Sequence, residues 1–469
     1  MIRIFSVLLA SALCLPLLST RLFAQNTGVI DKEAARPAQQ ESAAEQASNA
    51  GAQASKMNAP EGADITFEQV SADPDNVDLN FRYARTQVRH GNLKGASATL
   101  ERILLLNPDL PQIRLFYGVV LYRLDNLLEA DREISATLAS NPPDAVKAEA
   151  SKFLAEIHKR QKRTQITGRV GVGFEYDDNR NSAPSTGIDL FGGTPVQLNA
   201  GSLRHDDTSI LFLGNVEAHH DLGLAAGHEV FATINYYRAE QTLQKNLNLT
   251  AYSPALGGVY KTPFFNITPQ FVYDYVLLAQ TTFMRDRGFD LRVDKTLSAR
   301  ADVYADVHDV RQVYSPTAVV PTASDRTGIQ VDSILGGDYT IVPTNRVGFN
   351  LLYTVKHAQN NAFTFFRKGF GVTDTWLLGR GMFLLSSLRL NVDNYNHADP
   401  VVGPGLRRDT TIQTDFTYGA PLSLIDARLK DLIFTLTYEN YDAMSTISNY
   451  GFTNNKVSGL LTYKFAGGF

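Results

Sequence analysis

From Thr164 onward, apolar and polar residues alternate with a period of two. Ile166, Gly168, Val170, Val172, Phe174 and Tyr176 fall on one face, as do Val347, Phe349, Leu351, Tyr353 and Val355, and later Leu432, Phe434, Leu436 and Tyr438. Successive strand side chains point to opposite faces, so this period predicts β-strands. The other face is polar: Arg346, Asn350, Thr354 and Lys356 in one segment, and Asp302, Tyr304, Asp306 and His308 against Val303, Ala305 and Val307 in another. About 14 such segments are long enough to cross a bilayer at a tilt, beginning near 164, 207, 228, 252, 264, 283, 299, 325, 344, 363, 380, 407, 430 and 454. The connections alternate in length. Those at 177–206, 241–251, 315–325, 395–406 and 444–453 are mostly long and polar, whereas those near 223–227, 262–263, 297–298, 342–343 and 378–379 are tight. An even strand count with long and short connections on opposite sides is the pattern of a transmembrane barrel whose two ends share the periplasmic side.

Before Thr164 the spacing is helical, and it repeats. Asp73-Pro74, Asn107-Pro108 and Asn141-Pro142 recur every 34 residues, and the residues between them match by type. Phe81 answers Leu115, Tyr83 answers Tyr117, Ala84 answers Gly118, Asn92-Leu93 answers Asn126-Leu127, Ala96 answers Ala130 and Leu100 answers Ile134. This is similar to the tetratricopeptide repeat, two antiparallel helices per unit with a small residue at their crossing. Proline suits the unit boundary because it lacks the amide donor that a helix interior needs, and the preceding Asp or Asn is expected to cap the next helix. A further helix, about Asp144 to Lys162, would cover the last repeat with Val146, Phe153, Leu154 and Ile157. It ends in the basic run His158–Arg163, which suits either the negative pole of a helix or a collar against phospholipid headgroups.

Toward the N-terminus, Arg3 precedes an apolar run from Ile4 to Leu18 with Ala24 as a cleavage residue, which predicts a secretory signal peptide over 1–24. Leu13 before Cys14 argues against lipidation of that cysteine. Residues 25–72 are dominated by Ala, Gln, Glu, Ser and Asn and are expected to be a disordered linker. No later apolar stretch is long enough for a transmembrane helix. A formal charge of −4 gives no reason to invoke nucleic acid, and the single cysteine lies in the signal peptide, which removes thiol chemistry from the mature chain. The domain plan is therefore 1–24 signal peptide, 25–72 linker, 73–163 repeat domain and 164–469 barrel: a multidomain α + β chain.

Catalytic constellations are scarce. His228-Glu229 lacks the second histidine of a zinc protease helix, and neither a phosphate-binding glycine loop nor a nucleophile elbow is present. His205-Asp206-Asp207 and His308-Asp309 could activate water as a protease does, but neighbouring strand residues face opposite ways, and His219-His220 fails as a metal pair for the same reason. Gly192-Gly193, Gly257-Gly258 and Gly336-Gly337 read as strand ends or local bends. No catalytic, cofactor-binding or metal residue is assigned, no cofactor is expected, the chain is not expected to be an enzyme, and the client-binding residues stay unknown.

The stretch Asp177-Asp178-Asn179-Arg180-Asn181-Ser182-Ala183-Pro184 makes a turn in any protein. Together with a repeat domain joined directly to a C-terminal barrel of about 14 strands, its Asp-x-Asn leading to Ala-Pro resembles the surface lipoprotein assembly modifier family, over residues 73–469. The last strand, with Val457, Gly459, Leu461, Tyr463 and Phe465 alternating and Phe469 at its end, resembles the signal read by the barrel assembly machinery. The resemblance implies a translocon in the outer membrane of a Gram-negative bacterium, with its helical domain in the periplasm. It would move particular client proteins, surface lipoproteins or related secreted proteins, to the cell surface. The implied partners are the client, periplasmic chaperones, outer-membrane lipid and, during biogenesis, the barrel assembly machinery. The competing expectation is an exopolysaccharide or small-solute export porin with a periplasmic docking domain.

Overall fold

The computed structural model describes residues 64–468 apart from Asp125, Ala225 and Ala226, and of Lys159, Arg160 and Gln161 it describes the backbone alone. The expected signal peptide, the linker as far as residue 63 and the centre of the basic run lie outside what is described. The chain divides into two units, a helical one and a β one.

Among the described residues the helical unit holds α1 (Phe67–Ala72), α2 (Val77–Arg89), α3 (Leu93–Leu106), α4 (Pro111–Arg123), α5 (Leu127–Ala139) and α6 (Asp144–Gln161). Helix α1 corrects the expected linker boundary at 72: the Gln69 side chain accepts a hydrogen bond from Thr66 N at 2.9 Å, and Ile65 and Val70 are buried. The expected capping is corrected too. Asp73 and Asn107 end the helices before them, and the N-caps of the next helices lie three residues later, at Asn76, whose side chain accepts from Leu79 N, and at Leu110, which is followed by Pro111 in the first helical position. The physical reason is that a residue preceding proline is pushed out of the helical region, so Asp73 and Asn107 terminate rather than initiate. The repeat logic itself appears in the core, where Ala84, Ala96, Leu100, Ala130 and Ile134 are buried. At the α4–α5 crossing a Cβ on Gly118 would lie 2.4 Å from Ile134 Cγ1, which is why a glycine stands there.

The β unit begins with β1 (Thr164–Asp177), followed by the short β2 (Ile188–Phe191) and β3 (Thr194–Gln197). Next come β4 (Asp207–Asp221), β5 (Glu229–Gln241), β6 (Leu249–Lys261), β7 (Asn266–Leu278), β8 (Thr281–Ser298) and β9 (Ala301–Tyr314). The last are β10 (Gly328–Val342), β11 (Asn345–Ala358), β12 (Phe365–Gly379), β13 (Met382–Tyr395), β14 (Arg408–Pro421), β15 (Leu432–Ser445) and β16 (Phe452–Gly468). Fourteen of them close an antiparallel barrel, each strand beside its neighbour in sequence and β1 beside β16, while β2 and β3 form a separate hairpin. At the closing seam a Cβ on Gly173 would lie 2.2 Å from Gly459 O, and the Phe465 ring covers Gly168.

The two ends of the barrel differ. One carries the connections at 178–206, 242–248, 315–327, 396–407 and 446–451; the other carries tight turns such as 299–300, 343–344 and 380–381, together with the start of β1 and the end of β16. The exceptions are a two-residue turn on the long-loop side, Ala279-Gln280, both at positive φ, and two longer connections on the short side, 222–228, as long as 242–248, and 422–431, built from two 3-10 turns.

Candidate functional site

Every barrel strand shows at least one exposed large apolar side chain on its outer face: Phe289 is 68% exposed and Leu351 54%. A soluble protein rarely exposes such a continuous belt, whereas a membrane barrel requires it. The outer face is therefore in lipid and the polar face lines the lumen, the construction of an outer-membrane barrel. The candidate site is this lumen with the loops at its mouth.

Cross-strand pairing dresses the lumen wall in charge pairs. On β12 and β13, Arg367 grips Asp393 through two hydrogen bonds of 2.6 Å. Arg389 reaches Asp415 at 2.8 Å, joined there by Ser387, and Lys456 on β16 meets Glu439 at 3.1 Å. On β8 to β11, His308 stands 3.6 Å from Asp290, Arg292 reaches Asp306, and Arg346 bridges Asp302 at 3.0 Å and Asp338 at 3.3 Å. The Arg292 guanidinium also lies 4.0 Å over the Tyr304 ring, which fits against Gly336. This part of the wall is the acidic one. Asp274, Asp286, Asp290, Asp294, Asp302, Asp306, Asp332 and Asp338 alternate inward on β7 to β10, where Arg292 is the inward-facing arginine and His308 the inward-facing histidine.

Loops fold onto the mouth from two sides. Val320 and Ala323 of the 315–327 loop and Leu247 of the 242–248 loop pack on inward-facing Leu249, Ala251 and Val276. On the other side the β2–β3 hairpin turns through Gly192 and Gly193, both at positive φ, as a two-residue hairpin turn requires. It is tied down by backbone bonds from Gly192 and Gly193 to Val401 and Val402, and Asn449 pairs with both backbone groups of Leu190, at 2.8 and 3.1 Å. Leu190 then packs with Val402, Ile447 and Tyr450. Beneath them Arg407 stacks 3.4 Å over Tyr450 and pairs with Asp409 at 2.6 Å. Asp189 in this hairpin is fully buried, its carboxyl has no hydrogen-bond partner among the described residues, and burial pushes that carboxyl up to about 6.

The Asp177–Pro184 stretch proves to be a knot at the barrel seam. Asp177 accepts from Asn179 N at 3.0 Å, Asn179 pairs both ways with Ala183 and donates to Thr453 O, and Asp178 holds Asn455 through two bonds of 2.8 Å. Asn181 ties Leu203 and His205 to the same turn, and Arg180 turns toward Glu175 and Asp177. Such a buried network, in which Asn179 and Asn181 spend their amides on the turn itself, fixes the loop.

The other sequence-level candidates do not converge. His308 faces the lumen and Asp309 faces out; Asp207 accepts backbone bonds from Leu243 and Gln244, away from His205. His219 is held between Glu217 and Glu229 inside the barrel, whereas His220 meets Thr164 on the outside at 2.9 Å. His228 stacks on Tyr260 and accepts from Lys261 N. Gly257-Gly258 and Gly336-Gly337 lie inside β6 and β10 and not at strand ends; Gly257 and Gly336 make room for the Phe231 and Tyr304 rings.

In the helical unit, the rings of Phe81 and Phe116 meet edge to face at 5.5 Å, as do those of Tyr122 and Phe153 at 6.1 Å, joining α2, α4 and α6. In the same unit, burial lowers the pKa of Arg85 and of Arg123, with the Arg89 charge adding to the effect at Arg85. Leu105, Leu106 and Leu128 stay exposed.

A family model for the tetratricopeptide repeat matches residues 61–117. The helical unit thus carries tetratricopeptide repeats. No curated protein matches the chain. Among solved structures, the repeat domain of P58(IPK) is 30% identical, with 20% of this chain and 26% of that chain covered and a TM-score of 0.19, so the likeness spans about a quarter of that chain. The outer membrane protein OpdK from Pseudomonas aeruginosa (9% identity, 65% and 99% covered, TM-score 0.31) and OccAB1 from Acinetobacter baumannii (10%, 66% and 99%, TM-score 0.36) are matched at low similarity. At these scores none of them argues for a shared activity.

Proposed function

We propose that this chain is an outer-membrane translocon for protein clients, its repeats engaging the client or a chaperone and its barrel providing the route to the surface. The observation that carries the proposal is the joining, in one chain, of tetratricopeptide repeats to a closed barrel with a charged lumen. Stacked helix pairs offer an extended surface to a polypeptide, and the exposed Leu105, Leu106 and Leu128 give this one apolar contacts to offer. A barrel completes its own backbone hydrogen bonds in lipid and leaves a polar interior. The repeats then work in the periplasm, and no covalent chemistry is required of any residue.

The test is to express the chain with each exported protein encoded beside it in a heterologous Gram-negative host and to probe intact cells with protease. A client that reaches the surface only when the barrel is present supports the proposal. Full exposure without the barrel, together with sugar or ion flux through the purified protein, would transfer the assignment to an export porin.

A further inference from the structure

The outer face of the barrel carries a group of cations that no described residue neutralises. On β8 the outward residues run Arg285, Arg287, Phe289, Leu291, Val293 and Lys295, and on β9 Arg311 lies directly opposite Arg287 in the register. All three arginines are exposed, and none of their side chains has an ion pair, hydrogen bond or ring partner among the described residues. Like charges directly opposite on one face of an antiparallel pair repel. The only acid on this part of the face, Asp309, is opposite Phe289 and forms no ion pair with any of them.

Their height in the membrane follows from the strand. From Arg287 to Lys295 the chain rises roughly 20 Å along the normal at the usual strand tilt, close to the height of an apolar band, so the two charges bracket the band on β8. Arg285 and Arg287 stand at its long-loop edge, and their cross-strand neighbours on β7 are Tyr275 and Tyr273, residues suited to the headgroup level. The Phe271 and Phe289 rings meet edge to face one rung below, at 5.6 Å. Arginine presents a planar fork of donors that matches phosphate oxygens, and unpaired arginines turned outward at the membrane boundary are stable where an anion meets them.

We propose that Arg285, Arg287 and Arg311 form a docking surface for the phosphate of a lipid headgroup in the outer leaflet. One phosphate between Arg287 and Arg311 turns the repelling pair into a bridge, and Arg285 extends the surface toward a second. A bis-phosphorylated glycolipid fits this better than a zwitterionic phospholipid, whose own cation would face the same arginines. The site depends on the barrel being in lipid and is independent of what the lumen carries.

The test uses the full chain in phosphatidylcholine nanodiscs doped with a bis-phosphorylated glycolipid, with lipid retained after detergent extraction counted by native mass spectrometry. The chain is expected to retain the glycolipid, to reject its dephosphorylated form, and to lose retention about tenfold or more in R285Q/R287Q/R311Q. Equal retention by that variant, equal retention of the dephosphorylated lipid, displacement by millimolar inorganic phosphate, or pairing of two copies through this face in place of lipid would overturn the proposal. Should the triple variant fail to fold, D309N, which removes the local acid, is expected to raise retention; unchanged or weaker retention there would also overturn it.

Discussion

The repeat domain and the barrel bury opposite surfaces. In the repeats Leu100, Ile103 and Ile134 are hidden, with Glu133 a buried charge that Arg114 pairs; in the barrel Phe289 and Leu351 face out while Asp393, Lys356 and Asp306 are enclosed. The same residue types mean opposite things because the surroundings differ: water drives apolar groups inward in one unit, and lipid accepts them in the other. Glycine shows the contrast at smaller scale. Gly118 lets two helices approach across a dry core, whereas Gly336 makes room for a tyrosine that lines a polar lumen.

The largest expected effect tests the dry half. Ile134→Ala leaves a cavity at the α4–α5 crossing and should cost about 2–5 kcal/mol of helical-unit stability, read as an earlier denaturant transition of the helical circular dichroism signal with the barrel signal unmoved. If both signals move together, the two units do not stand on separate cores.

Next, neighbouring residues on β11 should behave oppositely. Leu351→Arg places a charge in the apolar belt and should cost about 2–4 kcal/mol in lipid-refolding titrations, whereas Asn350→Arg, turned into the lumen, should cost far less. Equal costs would mean that the barrel is not inside out.

A smaller loss is expected at the seam. Asn179 is 1% exposed and serves Ala183 and Thr453, so Asn179→Ala strands buried backbone groups, costs about 1–3 kcal/mol and exposes the 178–206 loop to protease.

The smallest effect is a pH dependence at the mouth. Because burial raises Asp189 to about 6, its ionisation opposes docking of the hairpin; the penalty is absent below the ordinary aspartate range, grows as pH climbs toward 6 and is constant above it. Hydrogen exchange across 188–197 should therefore be slower at pH 5 than at pH 7.5, beyond the intrinsic change, and Asp189→Asn should abolish the difference. An unchanged difference in that variant would assign it to another group.

Much of this architecture was legible in the alternation alone. Strand starts expected near 164, 207, 344 and 380 fall at Thr164, Asp207, Asn345 and Met382, because a strand with one face in lipid and one in a polar lumen writes both in period two. The β2–β3 hairpin was missed although Gly192-Gly193 between two short β-prone runs marked it; its strands are too short for alternation to register. The Ala279-Gln280 turn carried no glycine or asparagine to announce its positive φ. The lumen pairs were invisible for a different reason. Arg367 meets Asp393 and His308 meets Asp290 only once the register is fixed, and register is a property of two strands that neither sequence segment states. The Asp177–Pro184 motif was found, but its role in closing the seam depends on Thr453 and Asn455, far away in the chain.

The most direct test of the inside-out barrel uses single cysteines, replacing Cys14 and placing one at Pro195 in the hairpin or at Arg380 in a tight turn. With a membrane-impermeant maleimide, Pro195→Cys should label in intact cells and Arg380→Cys only after the outer membrane is opened. Labelling of both in intact cells, or the reverse order, would contradict a barrel that spans the outer membrane with its long loops outside.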